Sequence, residues 1–318
     1  MPAPAFIVTF LGTGSGVPTP FRGLSSVAVQ REGELIVFDC GEGTQLQYRR
    51  AGLGMAPLVA IAISHMHGDH VTGLPGLLMS LTLAGREEPL AIYGPPGIRD
   101  YVRQNERALR TRFRFPLRFV ERDGVAVLRE TPTYRLICAP LDHRIPTLGF
   151  AWIEHPRPGR FDVEAARALG IPEGPLYGAL QRGTSVTLPD GRTITPDQVL
   201  GPPRPGARLA YCTDTRPCPA AIELARDADL LIYEGTFAAD AAEEAARKWH
   251  STVVDAARVA REAGVRQLAI THLSPRYTDV GPLREQARAV FPNTLIARDL
   301  QRLEIYRRDE QPPERSSE

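Results

Sequence analysis

Seven consecutive residues, Ser64-His65-Met66-His67-Gly68-Asp69-His70, restrict this chain more than any other stretch in it. They follow directly on the apolar run 59–63, which reads as the end of a buried strand by its length and β-branched content. Three imidazoles and a carboxylate at that strand end, opening a helix, offer the borderline nitrogen and hard oxygen donors that zinc and similar divalent ions take. A His-rich surface loop is the bland alternative. Four liganding types at H-x-H-x-D-H spacing rarely coincide in such a loop. A fold that uses the cluster must bring further donors from distant strand ends to the same place.

Those donors exist. The chain has seven histidines, and outside the cluster they are His143, His155, His250 and His272. His143 and His272 each follow an apolar run, which predicts a strand end for both. Asp214, in Tyr211-Cys212-Thr213-Asp214-Thr215, follows a third run at 208–211. Taken singly, each has an ordinary reading: a satisfied structural histidine, or an aspartate that forms a turn or caps a helix. Together with the cluster they complete a set of seven: His65, His67, Asp69, His70, His143, Asp214 and His272. Such a set suits two metals sharing one bridging carboxylate, the arrangement used for in-line displacement at phosphorus. His250 precedes Ser251-Thr252 and a helical pattern, so it reads either as a cap neighbour or as a proton donor near neutral pKa.

Short apolar runs bounded by Gly, Pro and Asp predict strands at 6–11, 25–29, 35–38, 58–63, 90–93, 134–138, 208–211, 230–233, 267–271 and 294–297. Helical patterns fall at 43–51, 73–83, 97–109, 219–228, 240–249, 252–263 and 281–290. Two strand-rich clusters, each followed by helices, predict an α/β protein built as a four-layer αββα sandwich. Residues 155–204 break the rhythm with many Pro, Gly and charged residues and little helical or strand period. Metal-ligand candidates lie on both sides of this stretch. It therefore reads as a flexible arm inserted into a single domain spanning 1–318.

Composition excludes several classes. With 43% hydrophobic and 24% charged residues the chain is neither disordered nor fibrous. No apolar run approaches the ~18 residues a membrane helix needs. Met1-Pro2-Ala3-Pro4-Ala5 lacks the features of a signal peptide, and the expected location is the cytoplasm. The four cysteines, Cys40, Cys138, Cys212 and Cys218, form no C-x-x-C pair and are expected as buried thiols. Among 38 basic residues only Lys248 is a lysine; arginine suits phosphate because its planar fork binds two oxygens at once. Arg103, Arg107, Arg110, Arg112, Arg114 and Arg118, with Phe113 and Phe115 interleaved, read either as a phosphate-binding surface or as solvated charge beside buried aromatics. Gly12, Gly14 and Gly16 match no nucleotide-binding motif, so a tight turn near the site is expected and no nucleotide cofactor.

The H-x-H-x-D-H cluster, the later histidines and Asp214 match the metallo-β-lactamase superfamily, whose first motif Phe38-Asp39-Cys40-Gly41-Glu42-Gly43-Thr44 resembles. The resemblance is closer to the ribonuclease Z family. It is carried by Leu11-Gly12-Thr13-Gly14-Ser15-Gly16, Glu42-Gly43-Thr44-Gln45, Tyr233-Glu234-Gly235-Thr236-Phe237, His250-Ser251-Thr252 and Ser274-Pro275-Arg276-Tyr277, in order from about residue 6 to residue 300. Within the arm, Gly170-Ile171-Pro172-Glu173-Gly174-Pro175-Leu176-Tyr177 is similar to that family's Gly-Pro exosite motif. The loop Pro18-Thr19-Pro20-Phe21-Arg22-Gly23 matches the family's P-x-K-x-R-N at the arginine but not at the Lys or Asn.

The resemblance implies a metal-dependent endoribonuclease acting on tRNA precursors. One zinc would be held by His65, His67 and His143, the other by Asp69, His70 and His272, with Asp214 between them; manganese or another divalent ion is equally compatible. His250, held by Glu234, would protonate the departing 3′ oxygen while a metal-activated hydroxide attacks phosphorus, with Asp69 counted among the catalytic groups. Cleavage would leave a 3′ hydroxyl on the tRNA and a 5′ phosphate on the trailer. Arg22, Gly174, Pro175, Ser251, Thr252 and Arg276 would contact substrate. A homodimer is implied, in which the arm of one subunit clamps tRNA over the other's site.

Overall fold

Residues 3–310 are described in the computed structural model, and alternation along the strands sorts their apolar side chains into three layers. The strands, in chain order, are β1 (Phe6–Gly12), β2 (Ser26–Arg31), β3 (Glu34–Phe38), β4 (Leu58–Ala62), β5 (Leu90–Gly94), β6 (Leu117–Glu121), β7 (Ala126–Glu130), β8 (Tyr134–Pro140), β9 (Leu148–Glu154), β10 (Val186–Thr187), β11 (Thr193–Ile194), β12 (Arg208–Cys212), β13 (Leu230–Glu234), β14 (Leu268–Thr271), β15 (Thr294–Ile296) and β16 (Arg302–Ile305). One seven-stranded sheet has the order β16-β1-β2-β3-β4-β5-β6, the other β15-β14-β13-β12-β9-β8-β7. In each sheet one half is antiparallel and the other half parallel.

Ile36 and Phe38 of β3, Leu209 and Tyr211 of β12, and Leu230 and Ile232 of β13 face inward and form the layer between the sheets. Their neighbours Leu35 and Val37 face the helices of the first half, and Ala210, Cys212, Leu231 and Tyr233 face those of the second. Period-2 alternation with both faces apolar means that each sheet is covered on both sides. The covering helices are α1 (Thr44–Arg50), α2 (Gly68–Val71), α3 (Leu74–Leu83) and α4 (Ile98–Ala108) on the first half. On the second they are α7 (Pro219–Ala225), α8 (Ala242–Lys248), α9 (Val253–Glu262) and α10 (Gly281–Arg288), with α5 (Val163–Ala168) and α6 (Pro175–Gln181) set apart in the arm. The four-layer αββα sandwich is the architecture expected. Aromatic pairs lock its two sheets together: Phe6 with Trp152 at 5.5 Å, Phe38 with Phe150 at 5.7 Å and Phe38 with Tyr211 at 5.3 Å between ring centroids.

Outside the arm, four strands lie beyond the sequence expectation. Three of them, β6, β7 and β16, are at sheet edges and half exposed, with charges interleaved as edge strands require, so they show no apolar run. The fourth, β9, is buried but contains Gly149, whose hypothetical Cβ would sit 2.7 Å from a Leu224 methyl of α7. Phe113 and Phe115 of the arginine-rich run are buried, which favours its reading as solvated charge beside core aromatics. Three of the four cysteines are buried; Cys218 is half exposed.

The arm corrects a second expectation, because residues 155–204 are not without regular structure. They contain α5, α6, the hairpin β10–β11 and a cluster of Ala166, Ile171, Leu180, Val186, Leu188, Ile194 and Val199. Elements this short carry too few periods to register in the sequence. A two-stranded stalk joins this small unit to the body, with Arg157 opposite Arg204 and Phe161 opposite Leu200. It prolongs β9 and β12 past the sheet. Among the described residues no helix is long and apolar enough to cross a membrane.

The loops following β3 and the histidine cluster pack backbone to backbone. Gly73 donates from its N–H to the Cys40 carbonyl, and a Cβ on Gly73 would lie 2.0 Å from the Gly41 oxygen. Gly73→Ala should therefore lower stability by about 1–3 kcal/mol in urea denaturation, the usual cost of overpacking. Gly68→Ala, where a Cβ meets only a Thr72 methyl at 3.6 Å, serves as the tolerated control. Equal stability of the two variants would contradict the packing.

Candidate metal centre and active site

β3, β4, β12, β13 and β14 run so that their C-terminal ends meet at one rim of the sandwich, and β8 is aligned with β12 through β9. Ligand sites in open α/β sheets gather at such ends. Here the loops after β4, β8, β12 and β14 bring together all seven expected donors. His65, His67, His143 and Asp214 place donor atoms within 4.8 Å of one another, as do Asp69, His70 and His272.

The spacing within the two groups is that of a coordination shell. His65 Nε2 lies 3.0 Å from His67 Nδ1, which lies 3.4 Å from His143 Nε2. His70 Nε2 lies 3.2 Å from His272 Nε2, which lies 3.4 Å from Asp69 Oδ2. Asp214 spans the groups, with Oδ2 3.5 Å from His65 Nε2 and Oδ1 3.2 Å from both His70 Nε2 and His272 Nε2. Ligands about 2.0–2.1 Å from a tetrahedral zinc stand about 3.3 Å apart.

Tautomers complete the fit. The other ring nitrogen of each buried imidazole already has a partner: His70 Nδ1 donates to Asp39 at 2.8 Å and His143 Nδ1 to the Trp249 carbonyl at 2.9 Å, while His272 Nδ1 meets Thr236 Oγ1 at 2.9 Å and His65 Nδ1 meets Ser64 Oγ at 2.9 Å. Partners on the far nitrogen leave the other ring nitrogen of each imidazole aimed at the centre, an arrangement that suits a bound cation. Burial lowers the imidazoles of His65, His67 and His143 below their usual range, toward the neutral form a metal requires. His70 is driven the other way: burial opposes its charge, but Asp214 and Asp39 outweigh it. Burial likewise opposes charge on Asp214, yet His272, His70 and His65 hold its carboxyl well below the usual carboxylate range. The donor set thus fits a divalent metal.

His250 stands beside this centre. Its Nδ1 meets Glu234 Oε1 at 2.9 Å, and its ring stacks 5.5 Å from that of His272. Burial works against the imidazolium, but the Glu234 carboxylate prevails and pushes its pKa up to about 9. Glu234 is fully buried and also accepts from Thr215 N, Ser251 N and Thr236 Oγ1. His67, Asp69, Asp214, His250 and His272 line one cavity of about 420 Å³, together with Phe237, Lys248 and Arg276. Gly16 closes it by donating its N–H to Asp69 Oδ2 at 2.7 Å, so the glycine-rich segment is the turn near the site that the sequence implied.

The expected substrate contacts fare differently. Ser251 and Thr252 are buried, and their hydroxyls are spent on the Thr215 carbonyl and on Asp255, where Thr252 caps α9. They shape the loop that carries His250 and are not exposed to a substrate, which corrects the expectation. Arg22 uses Nη1 on Thr13 and the Ala297 carbonyl, and so braces its loop. Arg276 reaches the cavity but is paired bidentately with Glu244. Gly174 and Pro175 start α6 in the arm, away from the cavity-lining set. His155 belongs to neither group; it meets Glu130 at 2.7 Å.

Sequence reasoning gave Asp39 no role of its own. Fully buried, it accepts from Ser64 N, Ser64 Oγ, His70 Nδ1 and Tyr211 Oη. The signal was an aspartate directly after an apolar strand. Asp39→Ala should weaken metal binding roughly 10–100-fold, the usual effect of removing a partner that orients a ligand. Titration in a metal buffer measures this. An unchanged affinity would deny Asp39 that role.

A family model described as Anti-Pycsar protein Apyc1 matches residues 6–111, and one described as Beta-lactamase superfamily domain matches residues 191–273. The ribonuclease Z of Salinibacter ruber is 49% identical over 306 residues, covering 95% of each chain. That of Methanosarcina acetivorans is 46% identical over 304 residues, covering 95% of this chain and 99% of its own. The crystal structure of the short form of human tRNase Z superimposes with a TM-score of 0.69 at 27% identity, covering 94% of this chain and 99% of that one. The metallo-beta-lactamase fold protein YhfI from Bacillus subtilis shares the fold, with a TM-score of 0.65 at 20% identity, covering 94% of this chain and 98% of its own. With nearly half of its residues identical across almost the full length of curated relatives, and with this fold, the chain belongs to the ribonuclease Z family.

Proposed function

We propose that this chain is a zinc-dependent endoribonuclease of the cytoplasm that removes 3′ trailers from tRNA precursors. The observation that carries this reading is the His250–Glu234 pair set against donors that share Asp214 in one cavity. His65, His67 and His143 would hold one divalent ion, Asp69, His70 and His272 the other, with Asp214 between. Ions held there would supply activated water at neutral pH and charge neutralisation at the scissile phosphate. His250 carries its proton on the side away from Glu234 and passes it to the departing 3′ oxygen, leaving a 3′ hydroxyl on the tRNA and a 5′ phosphate on the trailer. Glu234 orients that ring and favours its protonated form. Lys248 and Arg276 flank the buried ring of Phe237 at the cavity wall, where both pair with Glu244 and offer positive charge to the RNA backbone.

The arm supports a homodimer that shares its sites. β9 runs against β8 and β12, so the stalk leaves the sheet at the edge opposite the donor cluster. A strand of seven residues is about 23 Å long. An arm rooted there points away from its own cavity and suits a grip on tRNA, through Gly174-Pro175 and arm arginines, held over the partner's cavity.

Incubating the protein with a 3′-extended tRNA transcript and, in parallel, a bis-aryl phosphodiester tests the assignment. Cleavage of the small diester alone would sink it. His250→Ala should slow precursor cleavage by roughly 10²–10⁴, the worth of a general acid, and slow hydrolysis of a nitrophenyl ester far less. Equal losses on both substrates would make His250 structural. A mixing experiment tests the dimer. His250→Ala chains and chains with residues 158–203 replaced by a short linker should each be nearly inactive on precursor, yet regain activity when mixed. Failure to regain it would assign each arm to its own subunit's cavity.

A further inference from the structure

A two-stranded ribbon that leaves a sheet has no third strand to fix its direction, and isolated hairpins are marginal in water. The stalk of the arm is such a ribbon, held by a reciprocal pair of backbone bonds between Arg157 and Arg204 and by one bond from Gly201 N to the Arg160 carbonyl. Yet its hydrogen bonds into the body converge on two adjacent acids beyond β16. Arg157 donates through Nη2 to Asp309 Oδ1 at 2.8 Å and through Nη1 to Glu310 Oε1 at 2.6 Å. Arg204, on the opposite strand of the ribbon, donates through Nη1 to Asp309 Oδ2 at 3.2 Å and to Glu310 Oε1 at 3.1 Å. Arg160 adds a bond to the Asp309 carbonyl. Both strands of the stalk are thus gripped by the same pair of carboxylates.

These acids are themselves anchored. Arg307 donates bidentately to Glu154, the last residue of β9, at 2.6 and 2.7 Å and also reaches Glu310 at 3.4 Å. Glu154 is buried and also accepts from Arg31 of β2 and from Ala207 N. A continuous ionic path therefore runs from the first sheet, through Glu154 and Arg307, to the root of the arm. The side chains of Arg157, Arg204, Asp309 and Glu310 are only 21–25% exposed, so the pairs are partly shielded from solvent and salt.

We propose that Asp309 and Glu310 form a clasp with Arg157 and Arg204 that fixes the direction of the arm, making them positioning residues for substrate binding. The inference rests on the arm's proposed grip on tRNA. A second contact adds to affinity through effective concentration, which falls when its tether can swing. The clasp therefore acts on the binding of a long RNA and leaves the chemistry at the metals untouched.

Asp309→Asn/Glu310→Gln removes both charges while keeping the side-chain shapes. In a Cys218→Ser background, spin labels at Ser185→Cys in the arm and Glu87→Cys in the body, diluted with unlabelled chains, report the arm's direction without RNA. The clasp predicts a distance distribution clearly broader in the double variant. It also predicts a KM for precursor tRNA raised about tenfold with kcat unchanged, and unchanged kinetics on the bis-aryl phosphodiester. Exchanging the charges, with Arg157→Glu/Arg204→Glu added to Asp309→Arg/Glu310→Arg, should narrow the distribution again and recover part of the KM. An unchanged distribution width overturns the clasp, and so does a broadened one with unchanged KM. If the unaltered chain fails to cut precursor at all, the functional reading fails while the distance measurement still judges the clasp.

Discussion

Imidazole nitrogens crowded to within 3.0–3.4 Å of one another are costly to bury, and the whole molecule is organised to hold them there. The first half contributes His65, His67, Asp69 and His70 after β4; the second contributes His143, Asp214 and His272 after β8, β12 and β14. Neither half has a complete set. The donors meet only because the two sheets are packed in one fixed relation, and the aromatic layer of Phe6, Phe38, Phe150, Trp152 and Tyr211 sets it. Tyr211 links packing to chemistry directly: its ring stacks on Phe38 while its hydroxyl donates to Asp39, the residue that holds His70.

Part of the cost of this convergence is borne by the backbone. Asp39, Asp214 and His272 all have φ near +50° to +57°, a region that residues with a Cβ seldom adopt, and Trp249, whose carbonyl holds His143, has φ of 62°. Each lies just after a regular element, where the chain must turn sharply to aim a side chain at the centre. Hydrogen bonds to buried partners over-determine these positions. Asp39 gathers four such bonds and Glu234 is a similar focus on the other side, so two buried carboxylates, neither a member of the seven-donor set, hold the loops of the site in place.

The arm follows a different design. Its apolar cluster is small and its helices are short, so it is a satellite of the main core rather than an extension of it. Main-chain pairing makes the stalk continuous with β9 and β12, and charge pairs bind its root to the segment after β16. Rigid burial serves the metal site, where tenths of an ångström matter. Ionic contacts, which tolerate small displacements, hold the root of the arm.

Much of the site was legible in the sequence because the donors are chemically rare and each announces a strand end: His65 after β4, Asp214 after β12, His272 after β14. The two-sheet architecture was legible because buried strands are apolar on both faces. The edge strands β6, β7 and β16 were not, since half-exposed strands mix charge with apolar residues, and the elements of the arm were too short to show a period. Ser251 and Thr252 looked like substrate contacts by motif, but a motif records which residues stand side by side and not which way a hydroxyl points. Three-dimensional packing turned both inward, to Thr215 and Asp255. It also decided that Asp39 supports His70, that Asp214 lies between the two donor groups, and that Asp309 meets Arg157 across 152 positions of chain. The amino-acid sequence by itself determined which groups could bind a metal and that the chain would form two helix-covered sheets. Only tertiary structure decided which of those groups face one another, because contacts between residues far apart in the chain leave no local periodicity to read.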